Sequence, residues 1–85
     1  MDNKVLINLL VPEIGNNYDI YLPVNKKIGN IIVLLNKAVN ELTGGNYKLD
    51  NNNLLYNVET KKIYESDVLL ANTDIRNGSK LLLIS

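Results

Sequence analysis

The chain has 85 residues, and nine lysines and arginines balance nine aspartates and glutamates, so its formal net charge is zero. That length allows one small domain with one modest core, and a hydrophobic fraction of 46% is that of a globular protein, not a disordered one. Cysteine and histidine are both absent, which removes disulfides, thiolate nucleophiles, cysteine-held metals, the usual general base near neutral pH and the commonest transition-metal ligand. Zero net charge also argues against a nucleic-acid or anionic-membrane surface, whose affinity rests on neutralising phosphates. The opening Met-Asp-Asn-Lys lacks the basic and long apolar regions of a signal peptide. No apolar run approaches the roughly 20 residues that span a bilayer. These features predict a single cytoplasmic domain over residues 1–85, with no membrane insertion.

Lys4 to Val11 alternates as a strand, with Val5, Ile7, Leu9 and Val11 on one face and Lys4, Leu6, Asn8 and Leu10 on the other. Pro12 ends it, and Pro12 to Asn17 is a turn rich in residues that tolerate unusual dihedrals. Tyr18 to Leu22 is a second strand, so the pair forms a hairpin. Asn25 to Leu42 is the one long helical pattern: Ile28, Ile31, Ile32, Leu35, Val39 and Leu42 recur at three and four, while Asn30, Asn36, Lys37, Asn40 and Glu41 take the other side. Asn25 is placed to cap its start and Gly44-Gly45 to end it.

Gly44 to Asn53 reads as a loop, with Tyr47 and Leu49 as anchors. Leu54 to Val58 is a third strand, Glu59 to Lys62 a turn, and Lys62 to Tyr64 a short edge strand. Within Ser66 to Thr73 a single helical turn tucks Val68 and Leu69 or Leu70 inward. Asp74 to Gly78 is a turn with Gly78 at positive φ, and Lys80 to Ile84 is the last strand.

A hairpin, a helix and then further strands suit an α+β domain: a mixed four- to five-stranded sheet with one helix packed across one face. The final strand is expected beside the first and parallel to it in the middle of the sheet, since these two are the most apolar.

Several residues invite a chemical reading that their pattern does not support. Gly44-Gly45 follows a helix, where a phosphate-cradling loop precedes one, and the Gly-x-x-x-x-Gly-Lys pattern is missing. Glu59, Glu65, Asp67 and Asp74 lack the alternating spacing of a calcium loop. Gly29, costly within a helix, points to a close approach between the helix and the sheet. Lys26-Lys27 at the helix start reads as ordinary surface. No catalytic, cofactor or metal site emerges. The sheet carries the sharper signal. If Val5, Ile7, Leu9, Leu81 and Leu83 face the helix, Leu6, Leu10, Leu82 and Ile84 face away, joined by Tyr21 and by either Leu55 or Tyr56, with Leu55 preferred. An uncovered apolar patch of several hundred Å² marks a partner surface. Asn8, Asp19 and Lys80 lie within it and break it up. Tyr21 and Tyr56 as base-stacking platforms are the other use of such a face, and the absence of positive charge opposes it.

The order and spacing of these elements resemble the ubiquitin-like β-grasp fold over nearly the whole chain. The most specific stretch is Leu69 to Ile84, where a helical turn leads to Ile75, the Asn77-Gly78 turn and a closing strand with Leu81 and Leu83. Within that fold the length, the early first strand and the segment Tyr18 to Ile32, running through Pro23 into the helix, resemble the YukD/EsaB family of bacterial type VII (Esx) secretion systems. The resemblance implies a non-enzymatic cytoplasmic accessory protein that binds protein partners, either secretion-system components or itself. It also implies docking through the sheet face at Leu6, Leu10, Tyr21, Leu55, Leu82 and Ile84. The alternative is a modifier or sulfur carrier. That chemistry needs a terminal Gly-Gly, whereas this sequence closes on Leu83-Ile84-Ser85, so the modifier role is not expected.

Overall fold

A computed structural model describes residues 3–47 and 52–84. The elements are β1 (Lys4–Val11), β2 (Asn16–Pro23), α1 (Ile28–Leu42), β3 (Leu54–Asn57), β4 (Lys62–Ile63), a 3-10 turn (Leu70–Asn72) and β5 (Lys80–Ile84). They form one five-stranded sheet in the order β2-β1-β5-β3-β4. β5 lies parallel to β1 in the centre, and the β1–β2, β3–β4 and β3–β5 pairs are antiparallel. The expected mixed sheet with a central parallel pair is the one observed.

The β1–β2 hairpin is tighter than the sequence suggested. The Val11 carbonyl accepts from the amides of Ile14 (3.1 Å) and Gly15 (2.9 Å), and Gly15 takes the left-handed region at φ +69. Closing the turn over residues 12–15 lets pairing run the full length of both strands, from Lys4↔Pro23 to Val11↔Asn16. β2 therefore begins at Asn16, not at Tyr18.

Helix α1 lays Ile28, Ile31, Ile32, Leu35 and Val39 into a core shared with Ile7, Leu9, Val11, Leu22, Leu55, Leu81 and Leu83. Leu70 and Ile75 close it from the 3-10 turn and the segment that follows. Each fully buried aliphatic side chain here contributes about 1.5–3 kcal/mol relative to exposure.

Two stripe assignments are corrected. Leu42 is 58% exposed and Asn36 only 5%. Asn36 stands four residues after Ile32 and three before Val39, so spacing alone puts it on the stripe; its polarity alone argued otherwise. It is tolerated inside because its Oδ1 accepts from Asn53 Nδ2 (2.7 Å), which also donates to the Tyr47 hydroxyl (2.7 Å). Tyr47, not Leu42, joins the core past the helix end, held through Asn40 Nδ2 donating to its carbonyl (2.5 Å). Leu49, the other expected anchor, lies outside the described residues.

The helix ends also divide. Gly44 and Gly45 at φ +66 and +88 terminate it as expected. The Gly45 amide reaches back to the Asn40 carbonyl (2.8 Å) and that of Gly44 to Glu41 (3.1 Å), a Schellman arrangement. The start is not capped by Asn25. The capping position is Lys27, without a side-chain bond. The first free amides find backbone carbonyls instead: Ile28 donates to Val68 (2.8 Å) and Gly29 to Ser66 (2.9 Å), while Leu70 donates to Lys26 and Ala71 to Val24 (both 2.9 Å). Residues 24–29 and 66–71 thus run as a backbone zipper. A Cβ on Gly29 would stand 3.1 Å from the Ser66 Cβ and 3.2 Å from its carbonyl oxygen. The close approach at Gly29 is real, but it is to this segment and not to the sheet.

Candidate docking face

Because β1, β5 and β3 alternate in register, residues paired across them share a face. Leu9 pairs with Leu81 and Leu83 with Leu55, and all four are buried under the helix. The residues between them point the other way. Leu6, Leu10, Tyr21, Leu82 and Ile84 lie on the outer face, where the sequence put them; Leu6 and Tyr21 are exposed and Leu10, Leu82 and Ile84 are half-buried. Leu55 does not. It is fully buried, because its pairing with Leu83 fixes its parity, and Tyr56, the other choice for β3, takes the outer position opposite Leu82.

The register arranges the outer face in rows. One runs Asn17–Leu10–Leu82–Tyr56–Ile63 across all five strands. Beside it, Ile84 pairs with Leu54. Ile63 (54% exposed) and Leu54 (43%) extend the patch beyond the residues singled out from sequence. Leu54 was legible from alternation once β3's parity was known. Ile63 needed the β3–β4 pairing, which two residues of strand do not announce.

The next row is Asp19–Asn8–Lys80, with Val58 beyond, its amide bonded to the Lys80 carbonyl (3.0 Å). Asn8 Nδ2 donates to Asp19 Oδ1 (3.2 Å). This polar row separates the apolar half from a smaller one at Leu6 and Tyr21, as the sequence anticipated. There the 76–79 turn backs onto β1. The Leu6 amide donates to Asn77 Oδ1 and the Gly78 amide to the Leu6 carbonyl, both at 2.8 Å. Gly78 sits at φ +88 as expected, and with no side chain there the face is indented, forming a hollow lined by Lys4, Leu6, Asn8, Asp19, Tyr21, Asn77 and Gly78.

Among the described residues, ionisable groups also gather at the rim near β4. The Tyr64 hydroxyl donates to Asp74 Oδ1, accepts from Asn57 Nδ2 (3.0 Å), and Lys62 Nζ stands 3.7 Å from Asp74 Oδ2. The Tyr64 bond holds the Asp74 carboxyl below its usual range, and burial with the carboxylate's influence pushes the Tyr64 hydroxyl up. Asn57 Oδ1 accepts from the amides of Glu59 (2.9 Å) and Thr60 (3.2 Å). The contacts of Tyr64 with Asn57 and Asp74 and of Lys62 with Asp74 tie three segments of chain together, so the cluster is a strut. Among the described residues no group of three acidic, histidine or cysteine side chains could hold a metal, and no helix is long and apolar enough to cross a membrane.

No protein-family model matches the sequence, and no curated protein matches it at a significant level. Solved structures do match in fold. The chain is similar to an EccD5 ubiquitin-like domain from Mycobacterium xenopi, with a TM-score of 0.76 at 16% identity, covering 96% of this chain and 93% of that one. It is similar to the ubiquitin-like domain of the Mycobacterium tuberculosis type VII secretion system protein ECCD1, with a TM-score of 0.72 at 16% identity over 100% of both chains. It is also similar to part of a chain of the MycP5-free ESX-5 inner membrane complex, with a TM-score of 0.74 at 18% identity, covering 96% of this chain but 21% of that one. The helix laid across a sheet with a central parallel pair is the ubiquitin-like β-grasp.

Proposed function

We propose that this protein is a non-enzymatic ubiquitin-like interaction module, a cytoplasmic accessory component of a type VII secretion system of the YukD/EsaB kind, which docks a protein of that apparatus on the outer sheet face. The observation that carries the reading is the row Leu10–Leu82–Tyr56–Ile63, flanked by Leu54 and Ile84: large apolar side chains aligned on the face opposite the helix. Burial of such a row, with Tyr56 as a rigid anchor, is the usual source of binding energy at a protein interface. The choice of partner rests on the fold shared with EccD domains along nearly the entire chain.

Affinity capture from the native host, read by mass spectrometry, tests it. Type VII components are expected with the unaltered protein and are lost with Leu82→Asp and with Tyr56→Asp, while circular dichroism shows both variants folded. If no such component is captured, or both variants capture it equally, the reading fails.

A further inference from the structure

The polar row on the outer face runs from negative at Asp19 through neutral at Asn8 to positive at Lys80, one residue per neighbouring strand. That order is self-complementary. A two-fold axis lying between two opposed sheets and running along β1 places β1 over β1, β2 over the partner's β5, and β5 over the partner's β2. Asp19 then faces the partner's Lys80, twice by symmetry. A two-fold axis running across the strands instead sets Asp19 against the partner's Asp19 and Lys80 against the partner's Lys80, so the charges select the first arrangement.

The neighbouring row fits the same axis. Tyr21, 65% exposed, is a knob on β2. The position two strands away is Gly78, which continues the β1–β5 register opposite Leu6 and has open space above it. The axis brings Tyr21 over the partner's Gly78, a knob above an indentation.

We propose that a second copy of this chain is the occupant of one part of the outer face, the Asp19–Asn8–Lys80 and Tyr21–Leu6–Gly78 rows, leaving the Leu10–Leu82–Tyr56–Ile63 row to the secretion component. This rests on reading that face as a docking surface and names the partner of one part of it. Opposed sheets pack about 10 Å apart and about 30° off parallel. Asp19, Asn8 and Lys80 near the axis therefore meet, while the Lys4 pair at the end of β1 is carried apart by the twist. β2 is the sheet edge, so the partner does not extend over β3 and β4. Tyr56, Ile63 and Leu54 stay open for a different protein.

The footprint is small. Three strands about 5 Å apart and about 20 Å long fall short of the roughly 800 Å² per partner of a stable interface. The dimer is therefore weak and concentration-dependent.

Sedimentation equilibrium of the 85-residue chain at low salt, at concentrations up to about 1 mM, tests this. The unaltered chain is expected to dimerise. Asp19→Lys and Lys80→Asp each weaken the dimer by about tenfold or more, since each turns two attractions into two repulsions. The Asp19→Lys/Lys80→Asp double variant restores it, and so does an equimolar mixture of the two single variants. A monomer throughout the range, a dimer indifferent to either single substitution, or no recovery in the double variant and the mixture overturns the proposal. Tyr56→Asp lies outside the self-contact, so losing capture of secretion components while keeping the dimer separates the failure of one reading from that of the other.

Discussion

The two faces of this sheet are built from the same residue type and have opposite fates. Leu81 and Leu83 are buried, while Leu82 between them is only half covered; Leu9 and Leu10 divide in the same way. Nothing in a leucine distinguishes the two sides. The helix does, by covering one of them, so inner leucines are answerable to packing while outer ones are left without a cover from the helix.

Substitution at adjacent positions sharpens that contrast most. Leu81→Ala is expected to cost about 2–5 kcal/mol through lost burial and a residual cavity. Leu82→Asp is expected to change stability by less than about 1 kcal/mol, as outward substitutions do. Chemical denaturation measures both, and similar losses would mean that the outer face is also structural.

Asn36 is the exception on the inner side, and it probes whether that side tolerates a polar group only when it is paired. Asn36→Ala removes one acceptor from buried Asn53 Nδ2 and is expected to destabilise by about 1–3 kcal/mol. No loss on denaturation would show that the pair is incidental.

Gly29 tests the seam between helix and loop. Propensity alone predicts that Gly29→Ala gains about 1 kcal/mol. The new methyl would press on Ser66, whose carbonyl already accepts the Gly29 amide at 2.9 Å and cannot retreat without stretching that bond. A loss of up to about 1 kcal/mol is expected instead, visible as a lower thermal midpoint.

The smallest effect belongs to the rim. Asp74 has its folded pKa lowered, first by the Tyr64 bond. Its contribution is present above the ordinary carboxylate value of about 3.9 and is lost as pH falls through the lowered one. Tyr64 has its pKa raised, first by burial. Its contribution is present below about 10 and is lost as pH rises through the raised value. Tyr64→Phe should therefore lower stability in the neutral range, only slightly since Asp74 keeps water contact, and converge with the unaltered protein at both extremes, where the bond is already lost. An unaltered profile would show that the strut carries no weight.

Much of the fold was legible in the chain. The spans of β1 and β5, the glycine helix end, the positive φ of Gly78 and the central parallel pair all follow from local signals that agree with one another. The misplaced features share a cause. Asn25 has the residue type and the place of a local cap, but the first helical amides bond to carbonyls some forty residues on, which no local signal encodes. Asn36 keeps the spacing of the stripe against its polarity and is buried because Asn53 bonds it, whereas Leu42 keeps both spacing and apolarity and is exposed because Tyr47 fills the core past the helix end. Leu55 was put outside because a four-residue strand carries too few alternations to fix its own parity.

By itself, the sequence determined which segments are strand or helix and that two sets of alternating leucines exist, because hydrophobic periods and turn residues act over a few neighbours. Only the tertiary structure decided which set faces the helix on β3, how Asp19, Asn8 and Lys80 align in one row, and that Ile63 joins Tyr56. Those are matters of register between strands far apart in the chain, and register is fixed by packing against the helix rather than by any strand alone.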